Sequence, residues 1–165
     1  APWSARVDAL QAVQGWHCSG RAAAHLGQQG WQANLEWRQL HDESRVRLAG
    51  PLGIGAVSLK LSPAGLAIDG VPPDQSSEQF LRERLGFVLP LAELRYWMLG
   101  VPAPGTAYEA TRNAQDRLQS LEQAGWRVEY SRYAIVGGDW LPDRLSLAQG
   151  EARAKLVIDR WELER

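Results

Sequence analysis

The stretch "WQANLEWRQ", residues 31–39, decides the fold because apolar and polar residues alternate strictly along it. One face of the predicted strand carries the apolar residues Trp31, Ala33, Leu35 and Trp37. The residues between them are polar or charged and fall on the opposite face. A period of two is typical of a β-strand that buries one face and exposes the other.

Strand patterns of the same kind follow along the chain, with turn residues between them. Successive, evenly spaced strands favour an antiparallel meander. In the last strand, Trp161 falls out of phase with Leu156 and Ile158, which predicts a β-bulge. The further predicted strands cover 44–49, 56–62, 65–69, 106–112, 117–123, 126–134, 143–149 and 153–163.

Helical patterns occur at the N-terminus, over 3–14, and in the middle of the chain. There, Ser76 and Gln79 form a capping box that begins a second helix. Pro90 begins a third helix in its first turn, where a missing N–H costs nothing. The third helix carries an apolar stripe of Leu91, Leu94, Trp97 and Met98. We therefore expect a mainly β fold with α: a barrel or half-barrel of ten or eleven strands, with about three helices in its mouth.

Composition restricts the classes of function. The chain has 165 residues, and we expect one domain over 1–165. Its 18 Lys and Arg residues balance 19 Asp and Glu residues, which argues against nucleic acid as a partner. Eight tryptophans suit half-wet cavities and interfaces, because each indole offers a large apolar face and one donor.

Motifs that carry chemistry are missing from the sequence. The glycine-rich "GPLGIGAVS" lacks both the phosphate-loop and the dinucleotide pattern, so no cofactor is expected. His41, Asp42 and Glu43 are neighbours, but they read as a polar hairpin turn and predict no metal site. Cys18 is expected to be a small buried hydrophobe. The remaining apolar faces fit a container for a hydrophobic ligand or a barrel packed solid, and composition does not separate the two.

Seven segments occur in a characteristic order: "WHCSGRAA", "WQANLEWRQ", "VRLAGPLGIGAVSL", "LGFVLPLAELRYWMLGVPAP", "LEQAGWRVEYSRY", "LPDRLSL" and "KLVIDRWEL". Together they resemble the LolB family of outer-membrane lipoprotein receptors of Gram-negative bacteria, over about residues 3 to 163. The most specific pieces are Gly50-Pro51-Leu52-Gly53, the block from Pro90 to Gly100, and Gln123-Ala124-Gly125-Trp126.

The resemblance implies a half-open antiparallel β-barrel of about eleven strands, with about three helices forming a lid over a hydrophobic cavity. It implies a monomer that takes triacylated lipoproteins from the periplasmic carrier LolA. It further implies insertion of these into the inner leaflet of the outer membrane, at the periplasmic face. Family members carry a lipid anchor on an N-terminal cysteine. Residue 1 is alanine and Cys18 lies in the first strand, so we expect that the anchor and tether have been removed or that this homologue lacks them.

The family's membrane-active loop leucine falls on Leu52, between Pro51 and Gly53. These neighbours favour a tight turn whose tip leaves Leu52 nothing to pack against. Inserting one leucine into acyl chains contributes about 1.5–3 kcal/mol, which suits brief contact with a bilayer but not permanent anchoring. The alternative is that Leu52 folds back onto the core.

Candidate residues for the acyl-chain cavity come from the inward-facing positions of the predicted strands and from the lid. For each of them, core packing without ligand contact is an equal alternative, because one periodicity serves both. The candidates are Leu35, Trp37, Val46, Leu48, Leu59, Leu61, Leu94, Trp97, Met98, Val128, Tyr130, Leu145, Leu147, Leu156 and Ile158. Trp97 and Met98 are preferred, since they lie on the helix expected to move.

Two other functions remain open from the sequence. A soluble periplasmic carrier of the LolA type would shuttle lipoproteins or other lipids and would not need a membrane-probing turn. An enzyme acting on a lipid ester would need clustered acid–base groups inside the cavity. No catalytic constellation is apparent, so we expect a protein that is not an enzyme.

Overall fold

A computed structural model describes residues 2–50, 56–69 and 77–164. The described part contains three helices and ten strands. The helices are α1 (Trp3–Gln11), α2 (Ser77–Leu85) and α3 (Leu91–Trp97). The strands are β1 (Gly15–Leu26), β2 (Gln29–Leu40), β3 (Glu43–Ala49), β4 (Val57–Ser62), β5 (Gly65–Ile68), β6 (Tyr108–Arg112), β7 (Leu118–Gln123), β8 (Trp126–Val136), β9 (Asp139–Gln149) and β10 (Ala152–Glu164).

The ten strands form one antiparallel sheet in the order β5-β4-β3-β2-β1-β10-β9-β8-β7-β6. Two meanders, β1–β5 and β6–β10, meet where β1 pairs with β10. The outermost strands, β5 and β6, do not pair with each other, so the sheet stays open. This confirms the predicted fold class, with ten described strands where the resemblance implied about eleven.

The bulge expected in the last strand is present. Ser19 pairs with Arg160 and Gly20 pairs with Ile158, which leaves Asp159 as the extra residue of β10. The bulge turns Trp161 back to the inner face, where its ring centroid lies 5.1 Å from that of Trp16. A Cβ on Gly20 would lie 1.9 Å from the backbone oxygen of Val157, so this position requires glycine.

The β8–β9 hairpin is longer than the sequence predicted. β8 continues to Val136, two residues beyond its predicted end. β9 begins at Asp139, before Pro142, although the predicted strand began only after that proline. Pro142 cannot donate a ladder hydrogen bond, and β9 accommodates it because the register between β8 and β9 shifts near Tyr133, the partner of Pro142. α1 also ends earlier than predicted, at Gln11, because β1 begins at Gly15.

The two ends of the sheet differ in what they carry. One end holds the passage from β3 to β4 together with the turns after Leu26, Gln123 and Gln149. We call it the β3–β4 end. The opposite end holds the β8–β9 turn after Val136. α1 lies at that opposite end, where the backbone N–H of Trp3 donates to Asp116.

The C-terminal end of α3 is tied to the inner face of the sheet by two buried hydrogen bonds. Trp97 Nε1 donates to the side-chain oxygen of Gln123 at 2.8 Å, and the Tyr130 hydroxyl donates to the Trp97 carbonyl at 2.7 Å. Gln123 is itself buried, and its amide donates to the carbonyl oxygens of Ala103 and Thr106. A buried polar group satisfied in this way holds its partners in place.

Candidate functional site

An apolar cavity of about 30 Å³ lies between α3 and the inner face of the sheet, toward the β3–β4 end. Every lining side chain is apolar, and the strands β1, β2, β3 and β10 contribute most of them. The lining consists of Ala22, Ala23, Trp31, Leu35, Trp37, Val46, Leu48, Leu89, Leu91, Leu94, Ala154 and Leu156. Such a lining is suited to hydrocarbon and offers no charged group to a polar ligand.

The volume of this cavity is small for a ligand pocket. Ligand pockets usually measure about 300–1,000 Å³, and a space of about 30 Å³ is near the share of one water molecule. As the structure stands, the cavity has no room for an acyl chain.

Trp31 connects the sheet to the lid at the edge of the cavity. Its indole Nε1 donates to the Leu85 carbonyl at 2.9 Å. Leu85 is the last residue of α2, and its carbonyl is one of those that a helix end leaves without an internal partner. Gly86 follows with a positive φ of 90° and ends the helix. The Trp31 bond therefore links a side chain of the cavity lining to the end of α2.

The structure divides the predicted cavity residues into two groups. Leu35, Trp37, Val46, Leu48, Leu94 and Leu156 line the cavity. The others lie outside this lining, in the same apolar core: Leu59, Trp97, Met98, Val128, Tyr130, Leu145, Leu147 and Ile158. Leu61 also lies outside the lining and is half-buried, packed against that core. Trp97 and Met98 are fully buried at the C-terminal end of α3, beside the hydrogen bonds that tie this end to the sheet.

Several lining residues were not among the predicted candidates. Trp31 stood on the correct face of its strand, and Leu91 stood in the helical stripe, so both carried a usable signal. Ala22 and Ala23 carried none, because the run of alanines in β1 shows no alternation. Leu89 precedes the third helix and belongs to no periodic pattern.

The predicted membrane turn lies outside the described residues. Pro51, Leu52 and Gly53 belong to the segment 51–55, and Ser76 of the predicted capping box lies outside as well. The flanking residues Gly50 and Ala56 are described and connect to β3 and β4. They place both ends of this segment at the β3–β4 end of the sheet, toward which the cavity lies.

Tyr130, Arg6 and Cys18 are buried or half-buried titratable residues that do not belong to the cavity lining. Burial raises the pKa of the Tyr130 phenol, and burial likewise lowers the pKa of the Arg6 guanidinium. Arg6 Nη2 donates to the Trp140 carbonyl at 2.7 Å at the end of the sheet opposite the cavity. Burial also raises the pKa of the Cys18 thiol, which agrees with its predicted role as a small buried hydrophobe.

The His41 turn does not form a metal site. His41 Nδ1 lies 2.7 Å from the side-chain oxygen of Gln14, and the turn is solvent-exposed. Over residues 2–50, 56–69 and 77–164, no three His, Cys, Asp or Glu side chains are grouped to hold a metal ion. None of the helices in this part of the chain is long and apolar enough to cross a membrane.

The open antiparallel sheet packed against an apolar helix is a fold that this chain shares with solved structures, among them a protein of the LolA superfamily. A LolA superfamily protein from Nitrosomonas europaea shares this fold with a TM-score of 0.61 at 10% identity, over 100% of this chain and 94% of that one. A DUF1329 family protein from Desulfovibrio piger gives a TM-score of 0.57 at 8% identity, over 98% of this chain and 90% of that one.

Sequence relatives identify the family. The family model described as "Outer membrane lipoprotein LolB" matches residues 14–161. Proteins named outer-membrane lipoprotein LolB from Pseudomonas fluorescens and Nitrosococcus oceani are each 36% identical over 98% of this chain, which spans 80% and 83% of their lengths. The chain belongs to the LolB family. This confirms the predicted resemblance and its assignment to lipoprotein localisation at the outer membrane.

Proposed function

We propose that this protein accepts triacylated lipoproteins from the periplasmic carrier LolA and inserts them into the inner leaflet of the outer membrane. The observation that carries the proposal is the apolar cavity under α3, toward the β3–β4 end of the sheet. The protein acts as a monomer, held at the membrane by a lipid anchor like that of its named relatives.

Transfer between apolar pockets is required by the energetics of the cargo. Each buried CH₂ group contributes about 0.8 kcal/mol, so a triacylated anchor does not cross water at a useful rate. A receptor avoids this barrier by offering an apolar lining directly to the carrier. Direction then follows from increasing affinity, from carrier to receptor to bilayer, and needs no nucleotide hydrolysis.

The lid opens, in this proposal, around the fixed end of α3. Gln123 and Tyr130 hold the end at Trp97, whereas the beginning of α3 lines the cavity through Leu91 and Leu94. Separation of the Trp31 indole from the end of α2 then widens the cavity from its free side. The cavity lining contains no acid–base group, which supports binding over a hydrolytic function.

A soluble carrier of the LolA type is the second candidate. Its support is the fold shared with a LolA superfamily protein. The two candidates differ in their need for Leu52, because a carrier releases its cargo to another protein and does not touch a bilayer.

The test is the Leu52→Glu variant, assayed for uptake from loaded LolA and for delivery to liposomes. We expect normal uptake and delivery reduced about 10- to 150-fold, which corresponds to losing about 1.5–3 kcal/mol of leucine insertion. Leu26→Glu is the matched control, since Leu26 is an exposed leucine at the last position of β1, at the same end of the sheet. Normal delivery by Leu52→Glu would favour the carrier and remove the inserter.

A further inference from the structure

Four basic side chains lie on the outer face of β2, β3 and β4. They are Arg38, Arg45, Arg47 and Lys60, and all are exposed. We call them the basic face. Arg45 stands opposite Arg38 on one side and opposite Lys60 on the other in the strand register. Like charges directly opposite each other destabilise a sheet, so the fold itself gives no reason for this arrangement.

The charges of the basic face are only partly balanced. Glu43 lies 2.6 Å from the Arg45 Nε and 4.0 Å from the Lys60 Nζ. In the described part of the chain, neither Arg38 nor Arg47 forms an ion pair, although Glu36 stands opposite Arg47. The basic face therefore carries positive charge that is available to an external anion.

The surroundings of the basic face favour a lipid surface over a shaped protein partner. The groove along this face, of about 770 Å³, is lined at its exposed positions by charged and small residues. Its apolar members, Val46 and Leu59, are buried in the core. Stable protein interfaces depend on aromatic or aliphatic anchors at their centre. Long basic side chains without such anchors suit the mobile headgroups of an anionic membrane.

The basic face lies close to both the cavity and the β3–β4 end of the sheet. Arg45 and Arg47 alternate along β3 with Val46 and Leu48, which line the cavity on the inner face. Arg47 is three residues from Gly50, about 10 Å along a strand and close to one Debye length at physiological salt. A membrane in contact with this face would therefore lie one sheet thickness from the cavity.

We propose that the outer face of β2, β3 and β4 docks side-on onto an anionic lipid surface through Arg38, Arg45, Arg47 and Lys60. This docking deepens the membrane delivery proposed above and rests on it. It holds the β3–β4 end close to the bilayer before any apolar insertion. Electrostatic attraction acts at longer range than insertion, so docking precedes contact of the turn.

The test measures binding to vesicles of phosphatidylcholine with and without 30 mol% phosphatidylglycerol (roughly the anionic content needed for a strong surface potential). The unsubstituted chain should bind the anionic vesicles more tightly, and raising NaCl from about 0.1 M to about 1 M should abolish the difference. The triple variant R38Q/R47Q/K60Q should bind the anionic vesicles at least tenfold more weakly, since each basic residue near such a surface raises the binding constant about fivefold.

The matched control is R21Q/K155Q/R160Q, which changes net charge by the same amount on the outer face of β1 and β10. It should bind anionic vesicles within about twofold of the unsubstituted chain. An equal loss in both triples, or binding that ignores phosphatidylglycerol and salt, would overturn the proposal. So would a basic-face variant that binds anionic vesicles normally but no longer receives cargo from LolA, because that result assigns the face to a protein.

The failure of this docking and the failure of the proposed function give different results. Leu52→Glu is expected to block delivery even to phosphatidylcholine vesicles, where the basic face has no role. The basic-face triple should affect only anionic vesicles. Normal delivery by Leu52→Glu, together with loss of anionic binding by the triple, would retain the docking face and remove the inserter.

Discussion

The Trp31→Phe substitution tests whether the contact between β2 and α2 controls access to the cavity. It keeps an aromatic ring in the lining but removes the indole N–H that donates to Leu85 at 2.9 Å. A hydrogen bond of this kind contributes about 0.5–1.5 kcal/mol net. If the bond exists only in the closed lid, its loss raises the open population about 2- to 13-fold.

The assay is the initial rate at which a fluorescent acylated peptide enters the protein, with urea unfolding measured alongside. When opening precedes binding, the rate rises in proportion to the open population, so Trp31→Phe should take up the peptide about 2- to 13-fold faster. Its free energy of unfolding should fall by no more than about 1.5 kcal/mol from the lost bond.

Trp97→Phe is the matched control. It also removes an indole N–H, the one that donates to Gln123 at 2.8 Å, but at the fixed end of α3. It should lower the free energy of unfolding by about 1–3 kcal/mol without faster uptake. Equal acceleration in both variants, or none in Trp31→Phe, would refute the assignment of the lid to the Trp31 side.

Two further predictions concern the frame that holds the cavity. Gly20→Ala should lower the free energy of unfolding, measured in urea, by at least about 1–3 kcal/mol, because its Cβ would lie 1.9 Å from the Val157 backbone oxygen. A change under about 0.5 kcal/mol would contradict the bulge geometry. Burial raises the pKa of Tyr130 and Tyr133, so on raising the pH the unfolded chain loses these two protons before the folded chain does. The free energy of unfolding is therefore unaffected by them below about pH 10 and falls as the pH rises above that value. Tyr130→Phe should flatten that decline by up to about 1.4 kcal/mol per pH unit in alkaline denaturation; an unchanged slope would contradict the assignment.

Much of the fold could be predicted because its signals are local. The alternation of residues 31–39 identifies which face of β2 is buried, and the structure buries Leu35 and Trp37 accordingly. The phase error at Trp161 predicted a bulge, which occurs at Asp159. Side-chain direction along a strand depends only on the backbone period, so neighbouring residues suffice to determine it.

The sequence by itself determined most of the strands and their inward faces, the helical stripe of α3 and the family. Only the tertiary structure decided which inward residues line a cavity. Leu94 and Trp97 share one helical stripe, yet Leu94 faces the cavity and Trp97 bonds to Gln123, 26 residues away in the chain. The closure of β1 against β10 was likewise decided by the tertiary structure, because it joins residues that lie far apart in sequence. Periodicity reports that a side chain is buried, but a cavity is space left between distant elements, and no local pattern encodes that space.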